Sequence, residues 1–269
     1  MLNALWPLPM ALLAAAPLSA EPAGQLAAAL ETLIPRSIEA AGGARRWAGI
    51  RDLSVLERRS QLEQDGRARA SEELEIFLQN VPHTQLLMVR RTKNVVVRQG
   101  WRRGEAWMVE DGLRVHDRFR LQSARRELLE TLFLLRLPFC LPSEVNGQIG
   151  FEGTFLLARD EILGPLPGSR GPLEVDQLRF ATGEYPGGDV RLYLDRATGE
   201  LRGFGFHAPG GGYERWLLAR TFEEHGVKLA WWRELTVDGK PIRRDELRKL
   251  VVNQWFSPDV FKAEAWLRR

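Results

Sequence analysis

Hydrophobic and polar positions alternate along this chain in three regimes. From Gln25 to Ala41, Leu26, Ala29, Leu30, Leu33 and Ile34 recur at helical spacing, and Ile38 carries the stripe past Pro35. Pro35 is expected to kink this helix and Gly42-Gly43 to end it. The period then falls to two. Asp65-Gly66 separates Ile50–Glu63 from Arg67–Phe77, and Asp111-Gly112 separates Ala106–Val109 from Leu113–His116. Thr198-Gly199 lies between Val190–Asp195 and Leu201–Phe206, and Asp238-Gly239 follows Val227–Val237. Such dipeptides supply the positive φ that tight hairpin turns require, so the pattern predicts an antiparallel sheet of about nine to eleven strands.

The third regime is Leu121 to Leu141. Leu128, Leu132 and Leu135 share one helical face, Leu129 and Phe133 the next, and Leu134 and Leu137 the far side. A helix apolar all round must be covered on most of its surface. Inserted between two hairpin series and ended by Pro138 and Pro142, it is expected to pack on the concave face of the sheet. No linker, charge run or low-complexity tract divides residues 21–269, so one domain is expected there.

Composition narrows the class. The chain has 269 residues, 44% hydrophobic and 27% charged, with a formal net charge of +3. These values exclude disorder, collagen-like repeats and a polytopic membrane protein, and the charge is too small to imply nucleic acid. A single Cys excludes a disulfide framework. Residues 1–20 carry no Lys, Arg, Asp or Glu, and Leu18-Ser19-Ala20 before Glu21-Pro22 resembles a signal-peptidase site. The expectation is an export signal cleaved after Ala20 and a soluble periplasmic product; the alternative is an apolar N-terminal arm. The 33 Arg against five Lys fit either GC-rich codon usage or docking of doublets such as Arg58-Arg59 and Arg90-Arg91 on anionic headgroups.

Catalytic signatures are missing from the sequence. His83, His116, His207 and His225 form no HExxH or HxH spacing, so no metal site is predicted, and there is no GxSxG. His116-Asp117 reads as a solvated pair at a hairpin end. Gly203-Phe204-Gly205-Phe206-His207-Ala208 matches a dinucleotide fingerprint in letters only, because Pro209 and Gly210 follow where a helix should begin. No cofactor is expected.

Aromatic residues on strands are the unusual feature, with nine Trp in the chain. Alternation over Leu201–His207 puts Gly203 and Gly205 on one face and Phe204 and Phe206 on the other. Glycines inside a strand mark close approach, by a ligand or by the inserted helix. In Val227–Val237, Trp231 shares a face with Leu229 and Leu235 and is a cavity candidate, while Trp232 is expected at the surface or rim.

Two segments carry a family resemblance. Residues 39–53, with Gly42-Gly43, Trp47 and Leu53, resemble the helix-to-strand junction of outer-membrane lipoprotein-sorting (LolA/LolB-like) periplasmic proteins. Residues 213–261, with His225-Gly226-Val227-Lys228-Leu229, Asp238-Gly239 and Leu250-Val251-Val252-Asn253, are similar to the last strands of that superfamily. Asp195 to Leu201 fits its mid-sheet hairpin. The chain departs from the pattern in its length, in Ala230-Trp231 where a Pro is usual, and in having no acylatable Cys near residue 21. The resemblance implies an α+β, mainly β fold: one antiparallel sheet of about eleven strands curled into a half-barrel around the N-terminal helix and the inserted apolar helix. It also implies an apolar cavity for acyl chains.

The expected function is a non-enzymatic, monomeric carrier of lipid or acylated protein cargo, served by membrane-bound donor or acceptor proteins. Leu128, Leu132, Phe133 and Leu135 would act as plug or lid, and Trp101, Trp107, Phe204, Phe206 and Trp231 would line the cavity. The alternative is an envelope sensor or scaffold of the same shape that binds a protein partner.

Overall fold

A computed structural model describes residues 23–81, 83–159, 167, 171–182, 188–208 and 210–268. The expected export signal lies outside them. Helix α1 (Ala23–Ala40) runs through Pro35 and is followed by the single turn α2 (Ala44–Ala48). Gly42 has φ 114°, and a Cβ there would strike the carbonyl of Gly226. The Gly-Gly junction therefore ends the helix and also lets it dock on a later turn, where the Lys228 N–H donates to the Ala41 carbonyl at 2.9 Å.

The strands form two meanders. The first contains β1 (Asp52–Leu62), β2 (Ala68–Gln79), β3 (Gln85–Arg91), β4 (Val96–Arg102), β5 (Glu105–Glu110) and β6 (Leu113–Arg114). The second contains β7 (Val145–Leu157), β8 (Leu173–Thr182), β9 (Gly188–Asp195), β10 (Leu201–His207), β11 (Tyr213–Glu224), β12 (Val227–Val237) and β13 (Lys240–Val252). Pairing of β1 with β13 fuses them into one antiparallel sheet, ordered β6-β5-β4-β3-β2-β1-β13-β12-β11-β10-β9-β8-β7. β6 and β7 are its edges and do not pair with each other. The sheet has 13 strands rather than eleven. The turns at Thr92–Val95 and Arg103-Gly104 lack the Asp-Gly signal, and β6 is only two residues long.

The inserted segment forms α3 (Arg118–Arg136) and the short α4 (Leu141–Glu144), which together connect the two edges. α3 starts three residues before Leu121 because Asp117 caps it, accepting the Arg120 N–H at 2.8 Å. His116-Asp117 is exposed, as expected of a solvated pair, and it also starts a helix. α3 ends short of Leu141 because Leu137, ahead of Pro138, is extended with ψ 140°.

α1 and α3 cover one face of the sheet. One cluster there joins Leu128, Leu132 and Leu135 of α3 to Leu53, Val55, Ile76, Leu86 and Trp101. A second joins Phe133 and Leu134 to Ile34, Ile38, Phe180, Leu192, Phe204 and Trp216, and Leu129 and Phe139 touch both. Ten strands laid flat would span about 45 Å, whereas a helix of this length is about 28 Å long and about 10 Å wide. The sheet must curl to bring so many strands onto one helix, and it stops short of closure.

Candidate functional site

The inner face is lined by the residues that alternation selects. Phe133 of α3 meets Phe204 edge-on at 5.2 Å, and Phe204 stacks on Phe206 at 6.2 Å and on Trp216 at 6.5 Å. Trp101 faces the same way, with the α3 guanidinium of Arg125 5.6 Å from its ring. Trp47 of α2 stacks on Phe139 at 4.7 Å, which fixes the chain just beyond α3 to the helix–strand junction. The structure thus brings Trp101, Leu128, Leu132, Phe133, Leu135, Phe204 and Phe206 into the two adjoining inner clusters.

Two tryptophans fall elsewhere. Trp107 lies on the outer face, packed with Leu87 and Phe261 and donating its indole N–H to the Phe261 carbonyl at 3.0 Å. Its cross-strand partner is Gly100, and the ring fills the room that glycine leaves. Trp231 is half-buried, touches clusters on both faces, and has the Arg220 guanidinium 5.3 Å from its ring. The strand register is the same on either side of it, at Ala219–Trp232 and Thr221–Ala230, and Arg220 in that gap has φ 52°; Trp231 packs at the margin of an inner and an outer cluster rather than wholly on the lining. Trp232 is the buried one, on the outer face between the guanidiniums of Arg159 at 5.0 Å and Arg244 at 5.5 Å. The inserted helix does not pack over Gly203 and Gly205: a Cβ at Gly203 would strike the Trp216 carbonyl, and one at Gly205 the Tyr213 hydroxyl. Tyr193 and Tyr213 pack there instead, their hydroxyls 2.7 Å apart.

A buried ionic network on the inner face was not anticipated. Arg59 bonds Glu57 at 3.1 Å and Asp245 at 3.2 Å, and also reaches Glu127 of α3. Arg90 reaches Glu127 at 2.9 Å, and Gln99 donates to its other oxygen at 2.7 Å. Arg243 holds Glu130 of α3 and Asp245, and Arg233 holds Glu57. α3 is therefore not apolar all round: Glu130 is 5% exposed and Thr131 1%. Burial works to lower the Arg59 pKa, but Asp245, Glu57 and Glu127 outweigh it and hold the guanidinium well above its usual value. Burial works to raise Glu127 and Asp245, yet the arginines around each hold both below the ordinary carboxylate range. Alternation offered a signal, because Glu57 and Arg59 share parity with Leu53 and Val55. The doublets split likewise: Arg58 and Arg91 are exposed, while Arg59 and Arg90 turn toward α3.

Beneath α1 and the end of α3, a cavity of about 40 Å³ lies between Ser37, Leu134, Leu137, Leu201, Leu218 and Ala230. Small-molecule sites commonly run to about 300–1,000 Å³, so any larger occupant must displace part of the cover. Among the described residues no group of His, Cys, Asp and Glu is arranged to hold a metal ion, and no helix is long and apolar enough to cross a membrane.

No protein-family model and no curated protein matches the sequence. Solved structures do. A DUF1329 family protein from Desulfovibrio piger is similar with a TM-score of 0.59 at 10% identity, over 88% of this chain and 98% of that one. A putative outer membrane lipoprotein-sorting protein domain from Vibrio parahaemolyticus gives 0.50 at 10% identity, over 87% and 100%. A LolA superfamily protein from Nitrosomonas europaea aligns more loosely, with a TM-score of 0.46 at 8% identity, over 84% and 97%. Identities this low speak to fold alone, and on that level the chain has the fold of the outer-membrane lipoprotein-sorting proteins that its sequence resembles.

Proposed function

We propose that this chain is a non-enzymatic periplasmic carrier, exported by its N-terminal segment, that takes up lipid or lipoprotein acyl chains by exchanging them for α3. The observation that carries this reading is the cover itself. An unclosed sheet with an apolar inner face is filled by a helix whose two ends lead to the two open edges.

The energetics suit exchange. Leu128, Leu132, Phe133, Leu134 and Leu135 are all buried. At about 1.5–3 kcal/mol each, they hold α3 by roughly 8–15 kcal/mol gross. An acyl chain of about fourteen carbons offers about 11 kcal/mol gross. The two gross terms are of the same order, and association costs the free lipid about 4–15 kcal/mol more, so net affinity is modest at most, as release of cargo demands. Native mass spectrometry of protein purified from its own envelope tests the reading. A co-purified lipid in stoichiometric amount is expected, and a protein that neither retains lipid nor saturably binds a fluorescent fatty acid refutes it.

A second reading, a sensor or scaffold for a protein partner, draws on the edges. Leu113 on β6 is 66% exposed, and Phe155 and Leu156 on β7 are 45% and 70% exposed. Edge strands with exposed apolar side chains are templates for pairing with another chain. A stoichiometric partner lost on Leu156→Lys, with no lipid bound, favours this reading.

A further inference from the structure

The inner face changes character along its strands. On β1, Leu53 and Val55 give way to Glu57 and Arg59; on β13, Leu250 and Leu247 give way to Asp245 and Arg243. α3 matches the gradient, placing Glu127 and Glu130 over the charged end and Leu132, Phe133 and Leu135 over apolar side chains. The groove is thus lined for an amphiphile, and α3 is the amphiphile now in it.

An occupant that replaces α3 has two surfaces to satisfy. Its apolar part covers the leucines and phenylalanines. Its polar part meets guanidiniums that lose the helix carboxylates: Arg243 loses Glu130 while retaining Asp245, Arg90 loses Glu127 while retaining Glu72, and Arg59 loses Glu127 while retaining Glu57 and Asp245. A neutral chain would leave that charge under-compensated in a poorly solvated place, which is strongly unfavourable. A carboxylate or phosphate restores it, and the guanidinium fork suits both.

Further donors already point to an acceptor. Trp216 is fully buried, its indole N–H has no hydrogen-bond acceptor among the described residues, and its ring lies 4.6 Å from the Arg243 guanidinium. The Nε of Arg243 also lacks an acceptor.

We propose that the ligand exchanged for α3 is an anionic amphiphile, whose carboxylate or phosphate takes the place of Glu127 and Glu130 on Arg59, Arg90 and Arg243. This rests on the carrier reading and adds the chemistry of the headgroup to it. The test is calorimetric titration of the full chain with laurate, lauryl phosphate and dodecanol, each built on twelve carbons and differing in the head. Both anions are expected to bind about tenfold or more tightly than the alcohol, the scale of a charge-assisted hydrogen bond. Arg90→Gln and Arg243→Gln remove that preference, so that laurate binds each variant no more tightly than dodecanol binds the same variant. Glu127→Gln keeps all the arginines and loosens the cover, so it raises laurate and dodecanol affinity together while the preference for the anion remains. This variant, with the headgroup comparison on the native chain, decides the matter even where an arginine variant fails to fold. Equal binding of laurate and dodecanol overturns the inference and leaves the carrier reading standing. Binding of none of the three overturns both. Anion preference that survives both arginine substitutions places the headgroup elsewhere and also overturns it.

Discussion

Replacing Leu128 by alanine distinguishes a cover from a cavity wall. Leu128 is completely buried among Leu53, Ile76, Leu86 and Trp101. Truncating such a leucine costs about 3–5 kcal/mol, the lost transfer energy plus the cavity left behind. The expected global effect is therefore a drop of about 3 kcal/mol in stability, read by guanidinium denaturation. The effect on binding has the opposite sign. If ligand replaces α3, the contacts of Leu128 exist only in the free, covered state. Weakening them makes the open state easier to populate, and apparent affinity rises by the same factor as that population. A loss of about 3 kcal/mol corresponds to a gain of up to about 100-fold, less where displacement is partial. Titration with a fluorescent fatty acid, beside the denaturation curve, reads both quantities. An affinity that falls together with stability would mean that Leu128 touches the ligand, and an unchanged affinity would mean that binding leaves α3 in place. Either result refutes exchange.

Acid should loosen the cover. The pKa values of Glu127 and Asp245 are depressed in the folded chain, so their stabilisation is present above the unfolded carboxylate value of about 4 and is lost as pH falls through the lower folded values. Amide exchange along α3 should accelerate in that window before the central strands unfold. Asp245→Asn removes the buried carboxylate that Arg59 and Arg243 share, leaving Glu57 to the one and Glu130 to the other, and should cost about 3–5 kcal/mol in chemical denaturation. Gly205→Ala drives a methyl group into the Tyr213 hydroxyl and should cost about 1–3 kcal/mol, relieved when Tyr213 is also truncated. Leu156→Lys, on an exposed edge, should change stability by less than about 0.5 kcal/mol.

Where the physics was local, the sequence was legible. Turns at Asp65-Gly66, Asp111-Gly112, Thr198-Gly199 and Asp238-Gly239 all separate paired strands, because each dipeptide supplies backbone freedom that its neighbours lack. Alternation placed Phe204 and Phe206 correctly for the same reason. Trp101 and Trp107 show information present but unused. The turn at Arg103-Gly104 pairs Trp101 with Ala106 and Gly100 with Trp107, and cross-strand partners share a face, so the two tryptophans must oppose each other. Asp245 and Arg243 were beyond reach. The register of β13 against β1 slips between Lys249 and Leu247, and this bulge reverses parity, so a strict period of two would have turned both residues outward. The ionic contacts of α3 were hidden differently, since a helix read for its leucines says nothing about which basic side chains a distant strand will offer its glutamates.

The linkage of α3 to both rims of the sheet has a kinetic consequence. A segment held by peptide bonds at each end cannot diffuse away, so it competes for the groove at a fixed local concentration, of millimolar order for short flexible tethers. Its return is a first-order event whose rate does not depend on how much protein or free lipid surrounds the molecule. On the carrier reading proposed above, each protein carries its own eluent, and how long cargo stays aboard is written into the stiffness and length of the two connections, residues 115–117 and 137–144.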